Sequence, residues 1–293
     1  MKKLIINADD FGYSAQNNEA VKLGCESGII TSCSIITNMN GFEHALKEVI
    51  PSIPFIDLGF HFNIMEGRSI TNPKSLCDTQ GYFNNGYLKL IAKSHDPEIL
   101  KQIEQEFRAQ IEKILEHYPI SHIDSHVHTH AIPQFFNLIT KLAQEYNIKY
   151  IRTQREIPYV VPKKLLNKKF PLNTIKNILL NSFSIVNTKT LQGANLKTND
   201  YFIGVLYTGY MDEQAILRGL NKINKINTNK TNNITGIENT NNTITEIIFH
   251  PYFSSNIPEN KTNSYKEFLI TQNPNLRQQI ENSGFTLSDY SCF

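Results

Sequence analysis

The sequence predicts an α/β fold built on a parallel sheet, because short apolar runs alternate with longer segments of helical periodicity along the whole chain. A second observation is that polar side chains recur where the apolar runs end, and α/β barrels place their active sites at such strand ends. The chain has 293 residues, a length that accommodates one α/β barrel or two ordinary domains. We interpret residues 1–293 as a single domain.

Eight short segments have the apolar or β-branched composition of strands. They are residues 4–8, 31–37, 55–63, 149–152, 201–207, 244–249, 285–287 and the beginning of 120–130. Helical periodicity predicts helices at 15–27, 42–49, 96–117, 133–146, 212–223 and 264–281. Residues 65–95 are rich in Gly, Asn, Pro and Ser, which predicts a long loop able to fold over a site as a lid or a substrate-recognition segment.

Composition argues against several classes of protein. The 29 basic residues nearly balance the 27 acidic residues, so overall charge gives no reason to expect nucleic acid as a partner. The four cysteines are widely spaced and form no CxxC pair, as expected of free thiols in a reducing cytoplasm. The first apolar run is too short for an export signal, and no stretch approaches the roughly 20 apolar residues that cross a bilayer. We therefore expect a cytoplasmic protein.

Residues 120–130 carry an unusual density of metal-binding side chains. Four of the nine histidines and one aspartate fall within this segment: His122, Asp124, His126, His128 and His130. If the segment begins as a strand, the alternation of side chains places these five residues on one side. Neutral imidazole is the commonest metal ligand, and a neighbouring carboxylate can fix its tautomer. The pattern favours a divalent-metal site, and a histidine-rich loop with satisfied hydrogen bonds is the alternative.

Other polar groups follow the predicted strands. Asp9 and Asp10 end the first strand, where a cation would relieve the repulsion between two carboxylates and leave one of them free as a base. A solvated turn with an aspartate as helix N-cap is the alternative. His61, Arg152 and His250 occupy similar strand ends, and Arg152 could neutralise Asp9, contact substrate or form a surface ion pair. A single site at the carboxyl rim of the sheet would explain these groups together.

Two further segments have a distinctive composition. Residues 162–186 combine lysines with leucines and isoleucines, which fits either peripheral contact with an anionic membrane or a helix with one packed and one solvated face. Residues 224–243 consist almost wholly of Asn, Thr, Lys and Ile, and we predict a disordered surface loop inserted into the domain. The composition of these segments does not determine the oligomeric state, and a homodimer is compatible with the sequence.

Four motifs resemble those of the YdjC-like carbohydrate deacetylases, in the same order along the chain. They are Ala8-Asp9-Asp10-Phe11-Gly12, Gly59-Phe60-His61, His122-Ile123-Asp124-Ser125-His126-Val127-His128 and Glu246-Ile247-Ile248-Phe249-His250-Pro251. The resemblance implies a distorted (β/α) barrel of about seven units and metal-dependent removal of N-acetyl groups from amino sugars. Residues 151–158 and 207–211 look closer to the branch associated with hopanoid biosynthesis, whose substrate is expected to be an acetylated sugar on a lipid. Both a chitooligosaccharide-like and a lipid-linked N-acetylglucosamine therefore stay open as the substrate.

The resemblance also implies roles for individual residues. Asp10, His61 and His126 match the metal ligands, Asp9 matches the catalytic base, and His250 is a candidate general acid. Three further residues have no ligand role, and we expect them to bind substrate or to hold the ligands in place. They are Asp124, His128 and Arg152. The family commonly uses magnesium, but two histidines and one carboxylate suit zinc or another transition metal equally well.

Two other functions remain in competition with an N-deacetylase. A metal-dependent phosphoesterase of the histidine-rich barrel type would recruit His122, His128 and His130 into a cluster of two or three metal ions. A catalytically silent carbohydrate-binding protein would keep the metal site alone. The presence of both Asp9 and Asp10 argues against the silent protein, because binding alone needs only the ligand.

Overall fold

The computed structural model describes residues 2–233, 243–254 and 263–293. Its centre is a curled parallel sheet in which the strands follow the order β5-β4-β3-β2-β1-β7-β6, and β8 pairs with β1 from Lys2 to Ile5. The strands are β1 (Lys2–Phe11), β2 (Ser32–Ile35), β3 (Asp57–Phe62), β4 (His122–Ser125), β5 (Tyr150–Ile151), β6 (Tyr201–Ile203), β7 (Ile244–Phe249) and β8 (Phe285–Ser288). The predicted α/β barrel of about seven units is confirmed.

The barrel is distorted where β5 meets β6. There a single bridge pairs Tyr150 with Lys197, and the Asn199 side chain takes the place of further ladder bonds. Its amide donates to the Thr153 carbonyl at 2.8 Å, and its oxygen accepts from the Thr153 N–H at 3.0 Å. Side-chain hydrogen bonds therefore close the part of the barrel that strand pairing leaves loose.

The helices surround the sheet, and helices such as α4 and α5 bury the apolar faces that the sequence predicts. They are α1 (Ala15–Glu26), α2 (Phe42–His44), α3 (Tyr87–Lys93), α4 (Pro97–Leu115), α5 (Pro133–Glu145), α6 (Phe170–Ala194), α7 (Glu213–Asn233), α8 (Asn263–Thr271) and α9 (Pro274–Asn282). Helix α4 illustrates the local cause: Asp96 caps its first turn by accepting from the Glu98 N–H, and Pro97 fits the first helical position. None of the helices in the described part of the chain is long and apolar enough to cross a membrane.

Several predicted boundaries are wrong. The helix expected over 264–281 is two helices, because Pro274 cannot continue α8 and Asn273 caps α9 instead. The loop expected over 65–95 contains α3. The predicted disordered insert is wrong for 224–233, which continue α7, and its remaining residues 234–242 lie outside the described residues.

The interior of the barrel is polar. Side chains at alternate strand positions are buried and bonded to one another: Asn7, Asp9, Ser32, Ser34, His61, His122, Asp124, Tyr150, Arg152 and Glu246. The hydrogen bonds join strands that are not neighbours, as when Tyr150 of β5 donates to Glu246 of β7 at 3.3 Å. Contacts between distant strands can form only across the lumen of a curled sheet, so this network fixes the curvature of the barrel.

At Gly59 in β3 no side chain projects into the polar interior. A Cβ at this position would overlap the imidazole ring of His122 on the neighbouring strand. The His122 ring in turn stacks on Tyr290 with ring centroids 3.6 Å apart. Glycine is therefore needed at position 59 to leave room for a buried ring, which gives a physical reason for its place in the Gly59-Phe60-His61 motif.

We predict that Gly59→Ala lowers the free energy of unfolding by about 1–3 kcal/mol, because the added methyl overpacks the stacked His122 and Tyr290 rings. The control is Gly193→Ala in α6, where an added methyl group meets no atom within 4 Å. Alanine there should stabilise the helix by up to about 1 kcal/mol. Urea unfolding followed by circular dichroism measures both changes, and an unchanged midpoint for Gly59→Ala would contradict the packing argument.

Candidate metal centre

Asp9 and Asp10 leave the end of β1 in different directions. Strand β1 has an irregularity between Ala8 and Phe11, and Asp10 adopts a left-handed backbone with φ 63°. Aspartate tolerates this conformation better than most residues, and the irregularity re-aims its side chain. Asp9 is 2% exposed inside the barrel, whereas the Asp10 side chain is 14% exposed and faces the cavity. The two neighbouring carboxylates therefore occupy separate environments.

His61 reaches Asp10 from the end of β3. Its Nδ1 lies 2.6 Å from Asp124 Oδ1, and its Nε2 lies 3.3 Å from Asp10 Oδ1. A carboxylate bonded to one ring nitrogen fixes the tautomer and leaves the other nitrogen free for a metal ion. Burial alone would lower the pKa of His61, but Asp124 and Asp10 raise it to about 9.

His126, the first residue after β4, completes the group. Its Nδ1 lies 2.8 Å from Asp10 Oδ1, and its Nε2 lies 3.7 Å from Glu66 Oε1. The Tyr13 hydroxyl donates to the other oxygen of Glu66 at 2.9 Å. Burial would lower the pKa of His126, but Asp10 raises it to about 9, and the two histidines hold the pKa of Asp10 well below its usual value.

These three residues fit a divalent metal ion. One ligand atom from each of Asp10, His61 and His126 can be chosen so that all three lie within 4.8 Å of one another. Two imidazole nitrogens and one carboxylate oxygen suit zinc and similar transition metals, while the carboxylate also suits magnesium. Because Asp124 already orients His61, the set has the second layer of support that metal sites in proteins commonly show.

Asp9 lies behind this group and is bound by Arg152. The guanidinium donates to both Asp9 oxygens at 2.8 Å, and the Asn7 amide donates to Oδ1 at 2.7 Å. A carboxylate has about four lone-pair positions, so these three bonds leave Oδ2 able to accept one more proton. The arrangement fixes the orientation of the Asp9 carboxylate.

Arg152 also binds two other carboxylates inside the barrel. Its nitrogens lie 2.5 Å from Asp124 Oδ2 and 2.5 Å from Glu246 Oε1. Arg152 is fully buried, so the alternative of a surface ion pair is wrong and the expected neutralisation of Asp9 is correct. Burial raises the pKa of Glu246 to about 7, although Arg152 opposes the rise.

The expectation that five side chains of residues 120–130 share one side is wrong. Strand β4 ends at Ser125, and residues His126–Ala131 form a 3-10 turn in which Val127 and His128 have φ of 54° and 57°. His130 Nδ1 bonds Ser125 Oγ at 2.5 Å, and burial lowers the pKa of His130 to about 4. Of the four histidines, only His126 joins Asp10.

His122 and His128 are likewise kept inside the protein. His122 Nε2 lies 3.2 Å from Ser34 Oγ, and burial lowers the pKa of His122 to about 3. The His128 ring packs edge-on against Phe202, and burial holds its pKa well below the usual value. These two histidines are therefore neutral and are bonded or packed away from the Asp10 group.

A cavity of about 430 Å³ opens above Asp10, a size within the range of small-molecule sites. It is lined by Asp10, Tyr13, Ser14, Gln16, Asn17, Glu66, His126, His250, Tyr252 and Ser264. His250 follows β7, and its backbone N–H donates to Glu267 at 2.7 Å while its Nδ1 lies 3.5 Å from the same oxygen. Burial would lower the pKa of His250, but Glu267 raises it to about 9.

Sequence reasoning missed three residues of this site. Tyr13 and Glu66 form the wall beside His126, and Glu267 of α8 holds His250. Glu66 lies four residues after the end of β3, the strand that carries His61, and this position is the signal that could have singled it out. Glu267 offers no comparable signal, because only the tertiary fold brings α8 to the end of β7.

We predict that Asp124→Asn weakens binding of zinc about 10- to 100-fold, because the charge that orients His61 is lost. The control Asp78→Asn changes an exposed aspartate of the 65–95 segment and should leave the affinity unchanged. Competition with a chromogenic chelator measures the affinity, and circular dichroism verifies folding. Equal affinity in a folded Asp124→Asn protein would contradict the role of Asp124.

Residues 3–282 match the family model described as YdjC-like protein. A chitooligosaccharide deacetylase from Yersinia enterocolitica is 28% identical over 99% of this chain and 98% of its own length. A carbohydrate deacetylase from Brevibacillus brevis is 36% identical over 50% of this chain, and the match spans 57% of that relative. A carbohydrate deacetylase from Clostridium beijerinckii is also 36% identical, and the match spans 58% of its length.

A solved structure shares the fold. The crystal structure of an Enterococcus faecalis V583 protein superposes with a TM-score of 0.69 over 99% of this chain and 98% of the other, at 21% identity. The family model covers most of the chain, from the first strand to the end of α9. The chain therefore belongs to the family of YdjC-like proteins.

Proposed function

We propose that this protein is a metal-dependent N-deacetylase that hydrolyses the acetamide of acetylated amino sugars. The observation that carries the proposal is the convergence of Asp10, His61 and His126. Asp10 and His126 line an open cavity that His250 also lines. The names of the relatives support the same chemistry, since they are carbohydrate and chitooligosaccharide deacetylases. The substrate class is a chitooligosaccharide-like or lipid-linked N-acetylglucosamine.

Asp10, His61 and His126 would hold the metal ion. The bound ion would supply Lewis acidity, which polarises an acetyl carbonyl and lowers the pKa of water. Magnesium is suggested by the family resemblance, and the two histidine ligands suit zinc or another transition metal equally well. The protein's own contribution is to fix the geometry of the ligands, as the bond between Asp124 and His61 does for the His61 ring.

Asp9 is assigned the role of general base. Arg152 and Asn7 fix the orientation of its carboxylate, and one lone-pair position of Oδ2 is left to accept a proton from the attacking water. Arg152 is buried behind Asp9, so its role is to position the base, without contact to the substrate.

His250 is assigned the role of general acid. Glu267 raises its pKa to about 9, so His250 carries a proton at neutral pH and can donate it to the departing amine. An amine leaving group requires this proton, because an amide anion is too basic to depart. Tyr13 and Tyr252 also line the cavity and provide aromatic faces for a sugar ring.

The arrangement of the histidines does not support the alternative of a phosphoesterase. A cluster of two or three metal ions would need ligands from His122, His128 and His130, and none of these side chains lines the cavity. His122 and His130 are buried, and His128 packs against Phe202. Within the described residues, the second candidate group is Asp9, His61 and Asp124, which shares His61 with the first. One metal ion is therefore the proposed stoichiometry.

We predict that metal-stripped protein releases no acetate from N-acetylated chitooligosaccharides or an N-acetylglucosaminyl lipid, and that reloading with magnesium, zinc, manganese or cobalt restores release. Asp9→Asn should lower kcat by about 10²- to 10⁴-fold with the metal retained, because only the base is lost. Asp10→Asn should lose both metal and activity, because Asp10 is the carboxylate ligand.

Metal content measured by atomic emission and acetate measured enzymatically separate these outcomes. Circular dichroism verifies that both variants fold, which is essential because Asp9 belongs to a buried ion pair. If a folded Asp9→Asn protein loses its metal, or keeps full activity, the division between base and ligand is wrong. Acetate from neither substrate with metal bound would favour the phosphoesterase or the binding protein.

We predict that kcat falls as the pH rises through about 9, because the proton on His250 is then lost. Glu267→Gln keeps an acceptor for the His250 N–H but removes the charge, so the alkaline fall should move toward the ordinary histidine pKa of about 6.5. His117→Gln, a histidine outside the cavity, is the control and should leave the profile unchanged. An alkaline limb that does not move in Glu267→Gln would exclude His250 as the acid.

A further inference from the structure

Helix α6 presents its apolar side chains to the solvent. The exposed residues include Leu172, Ile175, Ile178, Ile185 and Val186, of which Ile175 is 64% and Ile178 is 60% exposed. Leu166, in the turn that leads into the helix, is 96% exposed. At 1.5 Å per residue, the stripe from Leu172 to Val186 runs for roughly 21 Å. Helix α6 thus has one packed and one solvated face, but its solvated face carries the apolar side chains.

Four of the six buried residues of α6 are polar, and their hydrogen bonds explain why. The Asn173 amide donates to the Leu206 carbonyl at 3.2 Å, and the Asn187 amide donates to the Ala131 carbonyl at 2.8 Å. Asn177 donates to the buried Glu156 carboxylate at 3.1 Å. Rotating the helix to hide its isoleucines would leave these buried groups without partners, which costs about 1–3 kcal/mol for each group. The apolar face is thus fixed outward.

The segment that carries this face is strongly basic. Residues 157–199 contain seven lysines and no aspartate, glutamate or arginine, although the whole chain has a formal net charge of only +2. The rest of the chain is therefore net negative. Lys164 pairs with Asp212 at 2.9 Å, and the exposed lysines in or just before α6 are Lys163, Lys168, Lys169, Lys176 and Lys189. Positive charge and exposed apolar surface coincide in this one segment.

We propose that the outer face of α6 and the preceding turn, residues 163–186, docks on an anionic lipid surface. Interfacial helices combine lysines with apolar side chains that enter the boundary between headgroups and acyl chains. Each lysine near an anionic leaflet adds to the attraction, and the attraction falls with salt. A second copy of the chain fits less well, because a two-fold contact would bring the same basic segment against itself.

The proposed docking surface lies close to the metal centre, but the proposal does not depend on the chemistry of that centre. Leu180 of α6 packs against Ala131 and Phe202, and the edge of the His128 ring contacts Phe202. The turn that α6 supports begins with His126, one of the proposed metal ligands. The lipid-docking surface therefore lies directly behind the part of the rim that carries the site.

The test is co-sedimentation of the full chain with vesicles. Vesicles of phosphatidylcholine with about one third phosphatidylglycerol should bind the protein at low salt, and vesicles of phosphatidylcholine alone should bind it far less. The double variant Ile175→Gln, Ile178→Gln should lower binding at least about tenfold, because two apolar side chains no longer enter the membrane. Lys168→Gln, Lys176→Gln should weaken binding and flatten its salt dependence.

Matched controls change the same residue types elsewhere on the surface. Leu88→Gln alters a side chain of α3 that is 77% exposed, and Lys89→Gln, Lys101→Gln removes two exposed lysines outside the segment. These variants should bind vesicles as the unchanged protein does. Absence of binding to anionic vesicles, or equal binding by the isoleucine variant, would overturn the proposal. A dimer in sedimentation velocity that the isoleucine variant converts to monomer would also overturn it in favour of a subunit interface.

Discussion

The pairing of one buried arginine with three carboxylates is the constraint on which the rest of this structure depends. Arg152 leaves the end of β5 and crosses the lumen to Asp9 of β1, Asp124 of β4 and Glu246 of β7. Removing one partner of a buried ion pair costs about 3–5 kcal/mol, because the other charge is left uncompensated. The four strands can therefore satisfy their charges only when the sheet is curled, and the barrel and the floor of the site form together.

The same network separates the roles of two adjacent aspartates. Asp9 faces the guanidinium inside the barrel, whereas the irregular end of β1 turns Asp10 toward the cavity and the histidines. Asp124 links the two regions, since one of its oxygens binds Arg152 and the other binds His61. The orientation of His61 is thus determined by a charge that Arg152 holds in place. A change at Arg152 would reach the metal ligands through one intervening side chain.

Much of this arrangement could be predicted from the sequence, and the limits have physical causes. Polar groups at the ends of apolar strands predicted the rim and the convergence of Asp10, His61 and His126. The polar interior was not predicted, although the spacing of Asn7 with Asp9, and of His122 with Asp124, at alternate strand positions was a signal for it. The left-handed turn after His126 could not be predicted, because Val127 is β-branched and such residues rarely adopt positive φ. Only tertiary contacts bring Glu267 to His250.

The orientation of α6 follows from the way the rim loops are held. Glu156 accepts from the backbone N–H groups of Gly204, Val205 and Leu206, and the asparagines of α6 donate to backbone carbonyls of the same rim. These loops follow β5 and β6, where strand pairing is weakest. Buried side-chain hydrogen bonds replace the backbone hydrogen bonds between strands there, and they require polar residues on the inner face of α6. Several apolar residues of α6 therefore lie on its outer face, because hydrogen bonds to the rim occupy much of the inner face.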